Sequence, residues 1–123
     1  LLPLTIRKLI VQPLVENALK FATRSSPPWD IRIACQQDGN RWRITVTDNG
    51  PGFQEDSLRA LHEQIEEAER TNVIPVLKLG GMGLLNIYIR MKLTYGDEAE
   101  FVFGNRPSGG AQVTLGGYIR KGE

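Results

Sequence analysis

The segment from Ile31 to Asp48 constrains the fold more than any other part of the chain. Ile31, Ile33 and Cys35 alternate with Arg32, Ala34 and Gln36; beyond Asp38-Gly39-Asn40, Trp42, Ile44 and Val46 alternate with Arg43, Thr45 and Thr47. A period of two sends successive side chains to opposite faces of a strand, so two such runs joined by a short Gly/Asn link predict an antiparallel hairpin with one apolar face. Cys35, the sole cysteine, falls on that face. It can form no internal disulfide, and a small buried core side chain is expected there.

The rest of the chain reads as helices and two further strands. From Thr5, a candidate cap, to about Arg24, Leu9, Ile10, Leu14, Ala18, Phe21 and Ala22 recur at helical spacing. Pro13 predicts either a kink or a helix proper that starts near it, and Ser25-Ser26-Pro27-Pro28 ends the pattern. After Asn49-Gly50-Pro51-Gly52, a second helix places Leu58, Leu61, Ile65 and Ala68 on one face, with Ser57 or Asp56 as its cap. A looser stretch runs from Thr71 to Lys78. Gly80-Gly81-Met82-Gly83 then leads into a third helix carrying Leu84, Ile87, Tyr88, Met91 and Tyr95 and closed by Gly96. Strands near Ala99 to Phe103 and Ala111 to Ile119 flank a turn from Asn105 to Gly110.

A length of 123 residues suits one core and is short for two domains. Hydrophobic content of 41% and charged content of 24% place the chain among folded proteins. Lys plus Arg number 15 against 14 Asp plus Glu, so no net field is available to hold nucleic acid or an anionic membrane surface, and any phosphate binding has to be local. No apolar run approaches the roughly 20 residues that span a bilayer, and no signal-peptide pattern is present. A chain that opens on Leu1-Leu2-Pro3 is expected to be an excised, soluble, cytoplasmic segment.

Three features carry chemistry. Asp48 shares the parity of Trp42, Ile44 and Val46, which aims a carboxylate at the apolar face, where burial costs several kcal/mol unless a donor meets it. Alternatively the strand ends at Thr47 and Asp48 opens an Asx-type turn. Gly81-Met82-Gly83 entering a helix would offer free N–H groups and the positive dipole end to a phosphate, or would simply form a tight turn. Glu16, Asn17 and Lys20 form a polar stripe on a core-packing helix, readable as a solvated Glu-Lys pair or as a Mg²⁺-suited amide beside a phosphate-suited ammonium. The Walker sequence is absent, which disfavours a P-loop ATPase.

The order of these features resembles a known superfamily. Leu14-Val15-Glu16-Asn17-Ala18-Leu19-Lys20-Phe21-Ala22, Asp48-Asn49-Gly50-Pro51-Gly52-Phe53 and Gly81-Met82-Gly83-Leu84-Leu85-Asn86 resemble, in order, the nucleotide-binding boxes of the Bergerat-type (GHKL) ATPases. Gln12 to Ala18, and Gly81 through Leu93-Thr94-Tyr95-Gly96, look most like the ATP-binding catalytic domain of LytS-type sensor histidine kinases. The resemblance covers nearly the whole chain.

It implies an α+β fold: a two-layer α/β sandwich with a mixed, mostly antiparallel sheet and helices on one face, ATP lying between the helices and a mobile lid of about residues 53–80. It further implies that Asn17 coordinates Mg²⁺ and that Lys20 contacts a phosphate. Asp48 would accept the adenine amino group, with Gly50 and Gly52 admitting the base. Gly81, Met82, Gly83 and Leu84 would form the phosphate turn, and Glu16 would polarise an acceptor imidazole. The implied reaction is γ-phosphoryl transfer from ATP to a histidine on an upstream helical domain, then to a response regulator. The intact protein would be a membrane-anchored homodimer. A serine kinase, a chaperone-like ATPase or a pseudokinase that only binds nucleotide are the alternatives.

Some positions depart from the pattern. Pro13 stands where gyrase-like members place a water-activating glutamate, which argues against hydrolysis by that route. Ala111 replaces a frequent threonine, Phe21-Ala22 a His-Gly, and Leu85 a lysine. His62, the sole histidine, lies inside the lid helix and is expected to be a surface residue rather than the phosphoacceptor.

Overall fold

A computed structural model describes residues 12–22, 27–72 and 83–118. The elements run α1 (Gln12–Ala22), β1 (Ile31–Asp38), β2 (Arg41–Asp48), α2 (Glu55–Thr71), α3 (Gly83–Tyr95), a 3₁₀ turn (Gly96–Glu98), β3 (Glu100–Asn105) and β4 (Ala111–Tyr118). The strands form one sheet in the order β1-β2-β4-β3, and all three pairings are antiparallel.

The predicted hairpin forms with Ile31 opposite Asp48 and Asp38 opposite Arg41. Gly39-Asn40 makes the link, and only Gly39 has positive φ (+62°), the pattern of a type II′ turn whose twist matches that of the strands. Pro13 lies in the first turn of α1, where its missing N–H costs no helical hydrogen bond. The second helix begins earlier than its polar residues suggest. Its cap is Gln54, in extended conformation and without a side-chain cap bond, so neither Asp56 nor Ser57 caps it. Glu55 and Asp56 instead sit in the first turn, where negative charge meets the positive end of the helix dipole.

The three helices of the described residues cover one face of the sheet. The core joins Leu14 and Ala18 of α1 and Leu61 and Ala68 of α2 to Trp42, Ile44, Val46, Phe103, Val113 and Leu115 of the sheet. α3 is the central helix. It buries Leu84, Leu85, Ile87, Tyr88, Ile89, Met91 and Tyr95, more of its circumference than a one-sided pattern requires. Leu85, the departure from a frequent lysine, is one of these core residues. Among the described residues no helix is long and apolar enough to cross a membrane.

The expectation that Cys35 is buried is overturned: its thiol is free and exposed. The parity was right, since Cys35 pairs with Ile44 and Ile33 with Val46. However, β1 is the edge strand that the helices leave largely uncovered: only Ile31 is partly buried there, whereas at the opposite edge Phe101 and Phe103 of β3 pack against Tyr88 and His62 of the helices. Ile33 is 47% exposed while Ile44 is completely buried. Alternation reports the face of a strand but not the place of that strand in its sheet.

Candidate functional site

Trp42, Ile44, Val46 and Asp48 are all buried on the helix-covered face, with Asp48 4% exposed at the end of β2. The strand runs through Asp48 instead of ending at Thr47, and Asp48 opens an Asx turn from that inward-facing position. Its Oδ1 accepts the Gly50 N–H at 2.8 Å, which is an Asx turn, and the Ala111 N–H at 3.3 Å across the sheet. Oδ2 has no hydrogen-bond partner among the described residues.

The loop that follows is locked to the β3–β4 turn. Arg106 Nη1 donates to the Asp48 carbonyl at 2.9 Å. Asn105 brackets the Phe53 peptide groups, its Oδ1 accepting from Phe53 N at 2.7 Å and its Nδ2 donating to Phe53 O at 3.1 Å. Two glycines permit this closeness. A Cβ on Gly110 (φ +86°) would fall 1.9 Å from the Asp48 carbonyl oxygen, and one on Gly52 (φ +81°) would fall 2.6 Å from Asn105 Oδ1. On the other side, Asn49 accepts from Asp30 N–H at 2.8 Å and donates to Pro28 O at 3.0 Å.

The other site candidates are distributed as follows. Gly50 and Gly52 are buried beside Asp48, and Glu16 is exposed on α1. Asn17 and Lys20 belong to α1, one and two turns beyond the buried Leu14, but their side chains lie outside the described residues. Gly83 is the first residue of α3 and Leu84 is buried behind it, whereas Gly81 and Met82 lie outside the described residues. The lid expected over residues 53–80 is described as far as 72. Two cavities of about 230 Å³ are lined, respectively, by residues from Val102 to Gln112 and by Gln36, Asp38, Arg41, Trp42 and Arg43; Asp48 lines neither.

The described part of the lid region rests on the core. His62 is exposed at its edge yet stacks on Phe103 with ring centres 4.3 Å apart. Near the end of α2, Glu69 accepts from the Tyr88 hydroxyl at 2.7 Å and from Lys92 Nζ at 3.1 Å. The bond from Tyr88, reinforced by Lys92, holds the Glu69 carboxyl below its usual range. Burial, then the bond to Glu69, raises the Tyr88 hydroxyl well above its ordinary value.

The model of the histidine kinase-, DNA gyrase B- and HSP90-like ATPase family matches residues 5–118. The chain belongs to this family. Its fold is accordingly the Bergerat ATPase fold, a scaffold for nucleotide binding. Among curated relatives, it is 34% identical over 107 residues to the C4-dicarboxylate transport sensor protein DctB of Pseudomonas aeruginosa, covering 86% of this chain and 16% of that protein. It is 34% identical over 93 residues to the sensor histidine kinase YpdA of Escherichia coli, covering 75% of this chain and 14% of that one. The chain thus spans about a sixth of the length of these relatives.

Among solved structures, the catalytic domain of histidine kinase ThkA superposes with a TM-score of 0.59 at 18% identity, covering 92% of this chain and 65% of that one. The mycobacterial sensor histidine kinase MprB gives 0.56 at 20% identity, covering 89% and 68%. In this family member, sequence reasoning missed Asn105 and Arg106. The Gly109-Gly110 pair signals a tight turn there, but no local pattern says which distant loop that turn grips.

Proposed function

We propose that this domain is the ATP-binding catalytic unit of a longer sensor histidine kinase of LytS type. In this reading, Asp48 Oδ2 accepts the adenine 6-amino group. The observation that carries it is a buried carboxylate whose protein donors, among the described residues, reach one oxygen only. With Oδ1 taken by the Gly50 and Ala111 N–H groups, Oδ2 is the oxygen left to accept from an exocyclic amine. Gly50 and Gly52 carry no side chain to obstruct a purine at this edge. The N-terminus of α3, which begins at Gly83 with Leu84 buried behind it, offers the positive dipole end to the phosphates, and Gly81 and Met82 just before it are assigned to the same phosphate turn.

Asn17 would hold Mg²⁺ through its side-chain oxygen, and Lys20 would contact a phosphate. Bound Mg²⁺ neutralises charge on the phosphates during transfer. The acceptor is an imidazole on a separate helical domain, with Glu16 polarising it. Its nitrogen bonds to the γ-phosphorus as the bond to the bridging oxygen breaks and ADP departs. Positioning and charge neutralisation supply most of the catalysis in such chemistry. Pro13, in place of a water-activating glutamate, favours transfer over hydrolysis. The phosphoryl group then passes to an aspartate of a response regulator, within a membrane-anchored homodimer whose catalytic domain faces the cytoplasm.

The test is incubation of the intact protein with γ-labelled ATP and Mg²⁺, followed by acid and alkali treatment. An acid-labile, alkali-stable label supports a phosphohistidine. An acid-stable label would indicate a serine kinase, and nucleotide binding without any label a regulatory module.

A further inference from the structure

We propose that Arg106 and Asn105, on the turn between β3 and β4, are positioning residues that fix the direction of Asp48 Oδ2 and so set the preference for adenine. The inference rests on the reading that Asp48 meets the adenine amino group.

Selecting a 6-amino purine requires an acceptor held in one direction. A carboxylate on a loosely held loop would re-aim itself and lose that selectivity. Asp48 ends β2, and its own strand pairing stops at the Thr47–Gln112 and Ile31–Asp48 pairs. Beyond that point its direction depends on other anchors, most of which come from a single turn. Ala111 N–H holds Oδ1, Gly110 lies against the carbonyl, and Arg106 donates to that same carbonyl at 2.9 Å. The turn is itself closed by Arg106 N to Gly110 O at 2.8 Å and Gly109 N to Arg106 O at 3.0 Å, so Arg106 and Gly110 move as one piece. Asn105 fixes the far end of the same loop by bonding both the N–H and the C=O of Phe53.

The use of Arg106 is unusual. It is partly buried, and among the described residues it makes no ion pair. Its guanidinium meets a main-chain carbonyl, at the residue whose carboxylate faces the proposed base. Charge-assisted bonds of this kind are stronger and more directional than neutral ones. Cross-strand pairing by itself already holds β3 to β4 along Glu100 to Asn105, so the hairpin does not need this bond in order to form.

The experiment compares affinities for ATP and for purine riboside triphosphate, which lacks the 6-amino group, both with Mg²⁺, by calorimetry on the intact protein. The variants are Arg106→Met, which keeps the apolar stem but removes the donor, Arg106→Lys, which restores a donor, and Asn105→Asp, which keeps the acceptor to Phe53 N but loses the donor to Phe53 O. The wild type is expected to prefer ATP. Arg106→Met is expected to reduce that preference about tenfold, the effect of one hydrogen bond to a charged group, with affinity for the purine analogue unchanged. Arg106→Lys is expected to recover part of the preference, and Asn105→Asp to reduce it less than Arg106→Met.

A parallel fall in both affinities would mean a merely structural role, and an undiminished preference in Arg106→Met would mean no role; either overturns the proposal. If Arg106→Met does not fold, an undiminished preference in Asn105→Asp overturns it instead. A wild type that binds both nucleotides equally removes the adenine reading and this inference together. A wild type that discriminates alongside an unaffected Arg106→Met removes the inference alone.

Discussion

Two carboxylates on the same sheet are held in opposite ways. Glu100 lies on the open face, and both of its oxygens are occupied: Oε1 by Arg43 Nε at 3.0 Å, and Oε2 by Arg41 Nη2 at 2.9 Å and Arg43 Nη2 at 3.1 Å. Gly116 makes room for this, since a Cβ there would lie 3.1 Å from Glu100 Cβ and Oε2. Asp48, on the covered face, is more deeply buried, yet the described donors satisfy only Oδ1. Glu100 is completed by its own chain and needs nothing further. Asp48 is half completed among the described residues, and the proposed function assigns the adenine amino group to the oxygen left over.

The largest effect that could break this contrast is at Gly110. Alanine there must adopt a left-handed φ and displace the Asp48 carbonyl, so Gly110→Ala is expected to lower stability by about 3 kcal/mol or more. Denaturant unfolding measures this, and an unchanged midpoint would mean that the turn does not press on Asp48. Next is Asp48→Asn. The amide oxygen can still accept from Gly50 and Ala111, while a donor replaces the acceptor at Oδ2. Affinity for ATP should therefore fall about 10- to 100-fold with little change in the thermal midpoint of the free protein. Equal loss of stability and affinity would show that Asp48 resembles Glu100 after all.

The smallest effect belongs to Glu100→Gln, at about 1 kcal/mol, with nucleotide affinity unchanged. Burial pushes the Glu100 carboxyl up, but the bonds from Arg43 and Arg41 prevail and hold it below the ordinary 4.5. A carboxyl lowered in the folded state stabilises the fold above its unfolded value. That contribution is lost as pH falls from about 4.5 through the folded value. Unfolding curves at neutral and acidic pH should therefore show a shallower acid loss in Glu100→Gln than in the wild type.

Much of this molecule can be read from the chain alone. Alternation over Ile31 to Asp48 determined the hairpin and the inward face of Asp48, because side-chain direction in a strand is fixed by local geometry. The order of the three boxes determined the family, and helical spacing located α1, α2 and α3. Tertiary structure alone decided that Cys35 lies open on an edge strand, that Gln54 rather than Asp56 or Ser57 begins α2, and that Asp48 keeps one oxygen unbonded among the described residues. The partners that settle the state of Asp48 are Arg106 and Ala111, 58 and 63 residues away along the chain. Local periodicity encodes which way a side chain points. What it meets there depends on how distant strands and turns pack, and no short pattern of residues carries that information.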